Sequence, residues 1–269
     1  MKKLSIFAVA IAAMTFAACG GNKTAQNAEQ ADSVKSFEQE QIEASIKMHF
    51  DSLASEMGKL KQLPIVTKDG GIVLTDEEKQ VKPDYLLNPA VSDNAMTLSE
   101  KYRVLSALEV DKEVSKLYEM PLDEYDKVIT KLAADINDPS FKAFDEGAGI
   151  YEATTALYDA MNENGRINYF WQIVASSLIE QLYVTSQNTD KFIGAFSDEA
   201  AANVTFRIIL IQDALERLTE FDPEISPVAK AVEPLTVLNA TTVEELKSQL
   251  ADAKEKVEAA RNALVNLGM

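Results

Sequence analysis

The stretch RINYFWQIVASSLIEQLYVTSQ, residues 166–187, decides the fold. Phe170, Val174, Leu178 and Leu182 recur every four residues, the spacing of one face of an α-helix. Gln181 lies among them and Glu180 at their margin. A second strongly apolar stretch, residues 198–219, groups Val204, Ile208, Ile211, Leu215 and Leu218 on one face, with Arg207 at its edge. These two helices are expected to form the centre of a bundle. If they run antiparallel around a turn near residues 192–193, Glu180 and Arg207 come level. Either the two pair, partly buried, or each reaches solvent separately.

Moving outward, the helical period continues in both directions. Ile42, Ile46, His49, Leu53, Met57 and Leu60 step by threes and fours along a first long helix. Thr97-Leu98-Ser99-Glu100 fits a capping box opening a helix through Tyr102, Leu105 and Leu108 towards Tyr118. Pro121 starts another, with Leu122, Tyr125, Ile129, Leu132 and Ile136 on one face. Asp138-Pro139 reads as an N-cap followed by proline at the first helical position. The helix expected from it carries Ile150, Thr154, Leu157 and Met161 inward and ends near Asn164-Gly165. Asp222-Pro223 and Ser226-Pro227 start a short broken segment that must stop before Pro234.

The most regular spacing comes last. Val243, Leu246, Leu250, Ala253, Val257, Ala260, Leu264 and Leu267 step 3, 4, 3, 4, 3, 4, 3, a heptad seam begun by Thr242-Val243-Glu244-Glu245. Such a seam closes a bundle on its own domain or pairs two chains. The first and last long helices are expected to pack together, with His49 buried near their contact. The expectation is thus an all-α fold: a multi-helix bundle over residues 36–269, with a long heptad-patterned C-terminal helix.

One stretch, about residues 61–96, breaks the pattern. Ile65-Val66-Thr67 and Ile72-Val73-Leu74-Thr75 flank Lys68-Asp69-Gly70-Gly71 and read as a small β-hairpin. Pro83 and Asn88-Pro89 then keep the chain extended. An excursion of about 35 residues in a helical domain is usually functional or unusually packed, so a binding edge is sought here first.

Composition narrows the function. Lys and Arg number 26 against 43 Asp and Glu, a net charge of −17. Loss of Lys2 and Lys3 with the leader described next would take this to about −19, a surface that repels phosphate backbones; nucleic acid is not an expected partner. One cysteine excludes a disulfide framework, and one histidine excludes the usual zinc sites. No cofactor is expected.

At the N-terminus, Met1-Lys2-Lys3 is followed by an apolar run from Ile6 to Ala18, 13 residues against the roughly 20 that a membrane span needs. It ends Phe16-Ala17-Ala18-Cys19-Gly20, which resembles the lipobox of bacterial lipoproteins. The alternative is an ordinary secretory signal with an incidental cysteine. The resemblance implies a signal peptide over residues 1–18 and acylation of Cys19, whose acyl chains (palmitate among them) would anchor the protein to a membrane. Residues 19–35 read as a flexible tether. Gly20, where inner-membrane retention would favour Asp, implies the outer membrane. The first acid after the cysteine is Glu29, which favours a domain facing the periplasm.

Chemistry-bearing motifs are sparse. The chain has no GxSxG, P-loop, GxGxxG or EF-hand spacing. His49, amid an apolar stripe with no second ligand at helical spacing, reads as a core histidine and not as a metal ligand. Gly147-Ala148-Gly149 reads as close helix approach or a kink, and Tyr169-Phe170-Trp171 as core packing. No catalytic residues are assigned, and an enzyme is not expected. The alternative is a carboxylate-dependent periplasmic glycan hydrolase, since acids abound; its mark would be two carboxyls in a cleft with aromatic walls.

Tyr85-Leu86-Leu87-Asn88-Pro89, Gly149-Ile150-Tyr151, and Trp171 followed by Glu180-Gln181-Leu182-Tyr183 resemble helical Bacteroidetes-type lipoproteins of unassigned function. That resemblance implies an all-helical periplasmic lipoprotein and brings no catalytic residues. The expected role is an envelope lipoprotein with a binding or structural domain. Its expected partner is an unidentified envelope protein or glycan.

Overall fold

A computed structural model describes residues 37–60, 63, 65, 71–143 and 154–265. Regular structure among them is helical, as the periodicity requires. In chain order the helices are α1 (Phe37–Lys59), the short α2 (Asp76–Gln80), α3 (Leu98–Leu117), α4 (Asp123–Ile136), α5 (Thr154–Glu163) and α6 (Ile167–Gln187). The short α7 (Thr189–Ile193), α8 (Asp198–Leu218), α9 (Ser226–Val232), α10 (Val243–Asp252) and α11 (Lys254–Leu264) follow. Single 3-10 turns at Pro89–Asn94, Pro139–Ala143, Pro223–Ile225 and Glu233–Val237 link them.

α6 is the axis. Of its 21 residues, 17 are buried, because α3, α5, α8 and α11 pack around it. Two of its hydroxyls are satisfied within the helix, Thr185 Oγ1 donating to the Gln181 carbonyl at 2.6 Å and Ser186 Oγ to that of Tyr183 at 2.6 Å, while Gln172 and Glu180 are met by arginines of other helices. α8 does not share this role. Only 11 of its 21 residues are buried, while Phe206 and Ile209 are more than half exposed. Its sequence explains the difference, since Glu199, Asp213, Glu216 and Arg217 keep one face in water.

Local chemistry sets the helix starts. Thr97 Oγ1 accepts the Glu100 N–H, and Glu100 accepts the Thr97 N–H at 2.8 Å, completing the expected capping box of α3. At α10 half of that device forms: Thr242 accepts from the Glu245 N–H, but the Glu245 carboxylate takes the N–H of Thr241. Asp138 caps the turn Pro139–Ala143 through the Ser140 N–H at 2.8 Å. A helix running on from Pro139 is not seen within the described residues; Gly147-Ala148-Gly149 and Ile150 lie outside them.

Two expected helix arrangements differ from those observed. The C-terminal seam is two helices, not one, broken at Ala253 (φ −93°, ψ 5°). The seam side chains Leu246, Leu250, Ala253, Val257, Ala260 and Leu264 are all buried within the domain. The break follows from divergent partners, α10 lying on α7 and α8 while α11 lies on α6 and α9. The first long helix, α1, packs against α5 and α8. His49 is therefore half-exposed, its Nε2 3.4 Å from Asp213 Oδ2 on α8, instead of buried against the last helix.

α1 approaches α5 closely at Gly58. A Cβ there would stand 2.4 Å from Thr155 Oγ1. Gly58→Ala is therefore expected to destabilise by about 1–3 kcal/mol, outweighing the roughly 1 kcal/mol that Ala contributes to helix propensity. In a Thr155→Ala background the same substitution should become neutral or stabilising. Denaturant midpoints of the four chains measure this, and equal effects in both backgrounds would refute the steric account.

Candidate functional site

The excursion reaches the helical body through a series of hydrogen bonds. The turn of the expected hairpin, Lys68-Asp69-Gly70, lies outside the described residues. Gly71–Thr75 carries no regular structure and forms no strand among the described residues, with Ile72 and Leu74 buried and Val73 81% exposed. Thr75 then forms a capping box with Glu78 that opens α2. The Glu78 carboxylate also meets Lys191 Nζ of α7 at 2.7 Å, and Lys79 meets Glu119 at 2.7 Å. Lys82 Nζ donates to the Tyr118 carbonyl. Further along, Asn88 caps the turn Pro89–Asn94, and Asp93 pairs with Lys131 of α4 at 3.1 Å.

At the middle of the excursion, Tyr85–Leu87 lies against a buried cluster of charge. Asp111 of α3 and Glu180 of α6 are fully buried. Arg261 of α11 donates from Nε to both Glu180 oxygens, at 2.8 and 3.0 Å. Its guanidinium lies 3.9 Å from the Tyr183 ring centre and donates to the Tyr85 carbonyl at 3.1 Å. The Leu87 N–H donates to Asp111 Oδ2 at 2.6 Å, and Tyr125 Oη to the Leu87 carbonyl at 3.0 Å. The backbone of the excursion thus binds directly to buried side chains from three helices.

The charges in this cluster do not balance. Asp111 and Glu180 lie close enough for each to act on the other, and they face one arginine. Burial pushes the Asp111 carboxyl well above the usual carboxylate range, and the adjacent Glu180 pushes it further. Burial also raises Glu180, but there the Arg261 guanidinium opposes it. Asp111 Oδ1 meets no donor. A single proton on Asp111, directed at Glu180, would satisfy the pair.

The expected Glu180–Arg207 pair is not formed. Glu180 faces α11, away from α8, whereas Arg207 turns to α1, where its Nη2 donates to the Leu60 carbonyl at 3.0 Å. The heptad reading accounted for Val257, Ala260 and Leu264 but passed over Arg261 and Asp111. A signal existed for both. Asp111 follows Leu108 by three and precedes Val114 by three; Arg261 follows Val257 by four and precedes Leu264 by three. A lone charge framed that way on a buried face must find a partner inside.

A second polar cluster joins Tyr102, Asp138 and Arg166. Tyr102 Oη donates to Asp138, and Arg166 lies 3.3 Å from the same carboxylate. A third feature is an open groove of about 400 Å³ between α1 and α5, bordered by Asp51, Lys59, Thr155, Tyr158 and Asn162. Tyr158 Oη donates to Asp51 there at 2.8 Å. Among the described residues, no three His, Cys, Asp or Glu side chains stand together to hold a metal ion. None of the described helices is long and apolar enough to cross a membrane. Cys19 lies outside the described residues.

No family profile, curated protein or solved structure matches the chain.

Proposed function

We propose that the chain is an envelope lipoprotein, held at the outer membrane through acyl chains on Cys19 and facing the periplasm with a helical domain that binds or scaffolds. The carrying observation is the excursion, which between Glu78 and Asp93 is bound to buried and surface charges yet presents Val73, Val81 and Met96 to solvent, each more than 70% exposed. A segment that is anchored and outwardly apolar suits recognition of an envelope protein or glycan. The likeness to helical Bacteroidetes-type lipoproteins agrees with this reading. Hydrolysis is less well supported, because the acids that stand together, Asp111 and Glu180, are fully buried instead of facing an open cleft with aromatic walls.

Cys19→Ser is expected to yield a folded domain that no longer sediments with membranes and no longer incorporates a labelled fatty acid. Membrane association of this variant after a carbonate wash would refute anchoring by acylation alone. Photocrosslinking from position 81 or 96 in envelope extracts, against an exposed apolar control outside the excursion such as position 206, tests the recognition surface. Equal capture from the control would count against the excursion.

A further inference from the structure

We propose that Tyr85–Leu87 is a proton-latched strap, docked while Asp111 and Glu180 share one proton and released when that proton leaves. The inference concerns docking and holds whatever the excursion recognises.

Its basis is geometric. The strap's own contacts to the cluster are the Leu87 N–H on Asp111 and the Tyr85 carbonyl under Arg261. Both end on the group whose charge is unbalanced. With one proton on the acid pair, Arg261 and one carboxylate neutralise each other, and Asp111 can donate to Glu180. Without it, a net negative charge is buried where only one cation reaches, and the two carboxylates repel. Opening the strap admits water to the pair and relieves that cost.

The groups facing the pair from each packed element do not supply another charge. Tyr85 comes from the strap, Tyr118 follows α3, Tyr125 comes from α4 and Tyr183 from α6. Burial raises the phenols of Tyr85, Tyr125 and Tyr183 above their ordinary range, so they stay neutral. Glu124 and Glu258 are exposed and negative, adding slightly to the repulsion. Lys82, the nearest strap cation, is committed to the Tyr118 carbonyl.

The sign follows from linkage. A carboxyl raised in the docked state stabilises that state below the ordinary carboxylate pH, and the contribution is lost as pH rises through the raised value. Between the ordinary carboxylate range and that raised value, one proton released per opening weakens docking about tenfold per pH unit. Hydrogen exchange of the full chain from about pH 5 to about pH 9, corrected for intrinsic rates, reads this at the Leu87 amide. Protection should fall with rising pH in the parent chain. It should be independent of pH in Asp111→Asn, whose amide both accepts from Leu87 and donates to Glu180. PH-independent protection in the parent, or unchanged pH dependence in Asp111→Asn, would overturn the proposal. Infrared spectroscopy of the parent near neutral pH should show a protonated carboxyl, and its absence would overturn the proposal without any variant.

Discussion

Arg261→Ala is expected to destabilise the domain by about 3–5 kcal/mol, the range for stranding a buried charge by removing its partner. The substitution removes two hydrogen bonds to Glu180, one to the Tyr85 carbonyl, and the stacking on Tyr183. Most of the loss comes from leaving a carboxylate in the interior without a cation. The deficit relative to the parent should therefore shrink as pH falls, since a protonated Glu180 needs no counter-charge. Adding Glu180→Gln should restore much of the loss. Denaturant unfolding of the two single variants and the double variant measures the coupling. A deficit under about 1 kcal/mol, or effects that simply add, would mean that Glu180 is not charged in the folded state.

Trp171→Ala is expected to cost about 3–5 kcal/mol, by a different mechanism. The indole is fully buried on α6, its ring 6.5 Å from Phe50 of α1 and 5.2 Å from Phe170. Its Nε1 has no acceptor, so truncation strands no hydrogen-bond partner and the loss is one of packing and cavity. Trp171→Phe should accordingly cost much less than Trp171→Ala. Since this is the chain's one tryptophan, unfolding is followed by circular dichroism. A loss in Trp171→Ala no greater than in Trp171→Phe would show that the surrounding helices collapse into the space.

The two substitutions probe parts of the fold that differed in how far the sequence disclosed them. Trp171 sits in the stretch whose spacing already marked a central helix, and α6 is that centre. Capping chemistry likewise placed the start of α3, because Thr97 and Glu100 interact with backbone only three residues away. What periodicity could not supply was partner choice. The seam from Leu246 to Leu264 is compatible with one straight helix, and the break at Ala253 arises because its two halves meet different neighbours. Glu180 and Arg207 came level only on the assumption that α6 and α8 face each other through those residues. The actual partner of Glu180 lies 81 residues further along the chain, beyond the reach of any local pattern.

The excursion was visible as a break in period, yet its anchoring was not. At Tyr85–Leu87 its hydrogen bonds join backbone groups, which every residue carries, to Asp111, Tyr125 and Arg261, which belong to helices far away in sequence. The hairpin reading weighed the β-branched runs and the Lys68-Asp69-Gly70-Gly71 turn between them; on the arm that is described, the capping preference of Thr75-Asp76-Glu77-Glu78 sets the structure that follows.

The position of Arg261 also dictates an order of assembly. A chain emerging from its N-terminus produces Asp111 and Glu180 long before the cation that both await. Until α11 appears, packing α3 onto α6 would enclose the acid pair without its cation, so closing early is penalised. The final turns of α11 thus act as a checkpoint on maturation: sealing the interior is penalised until Arg261 has been delivered, which favours one late cooperative closure over stepwise accretion.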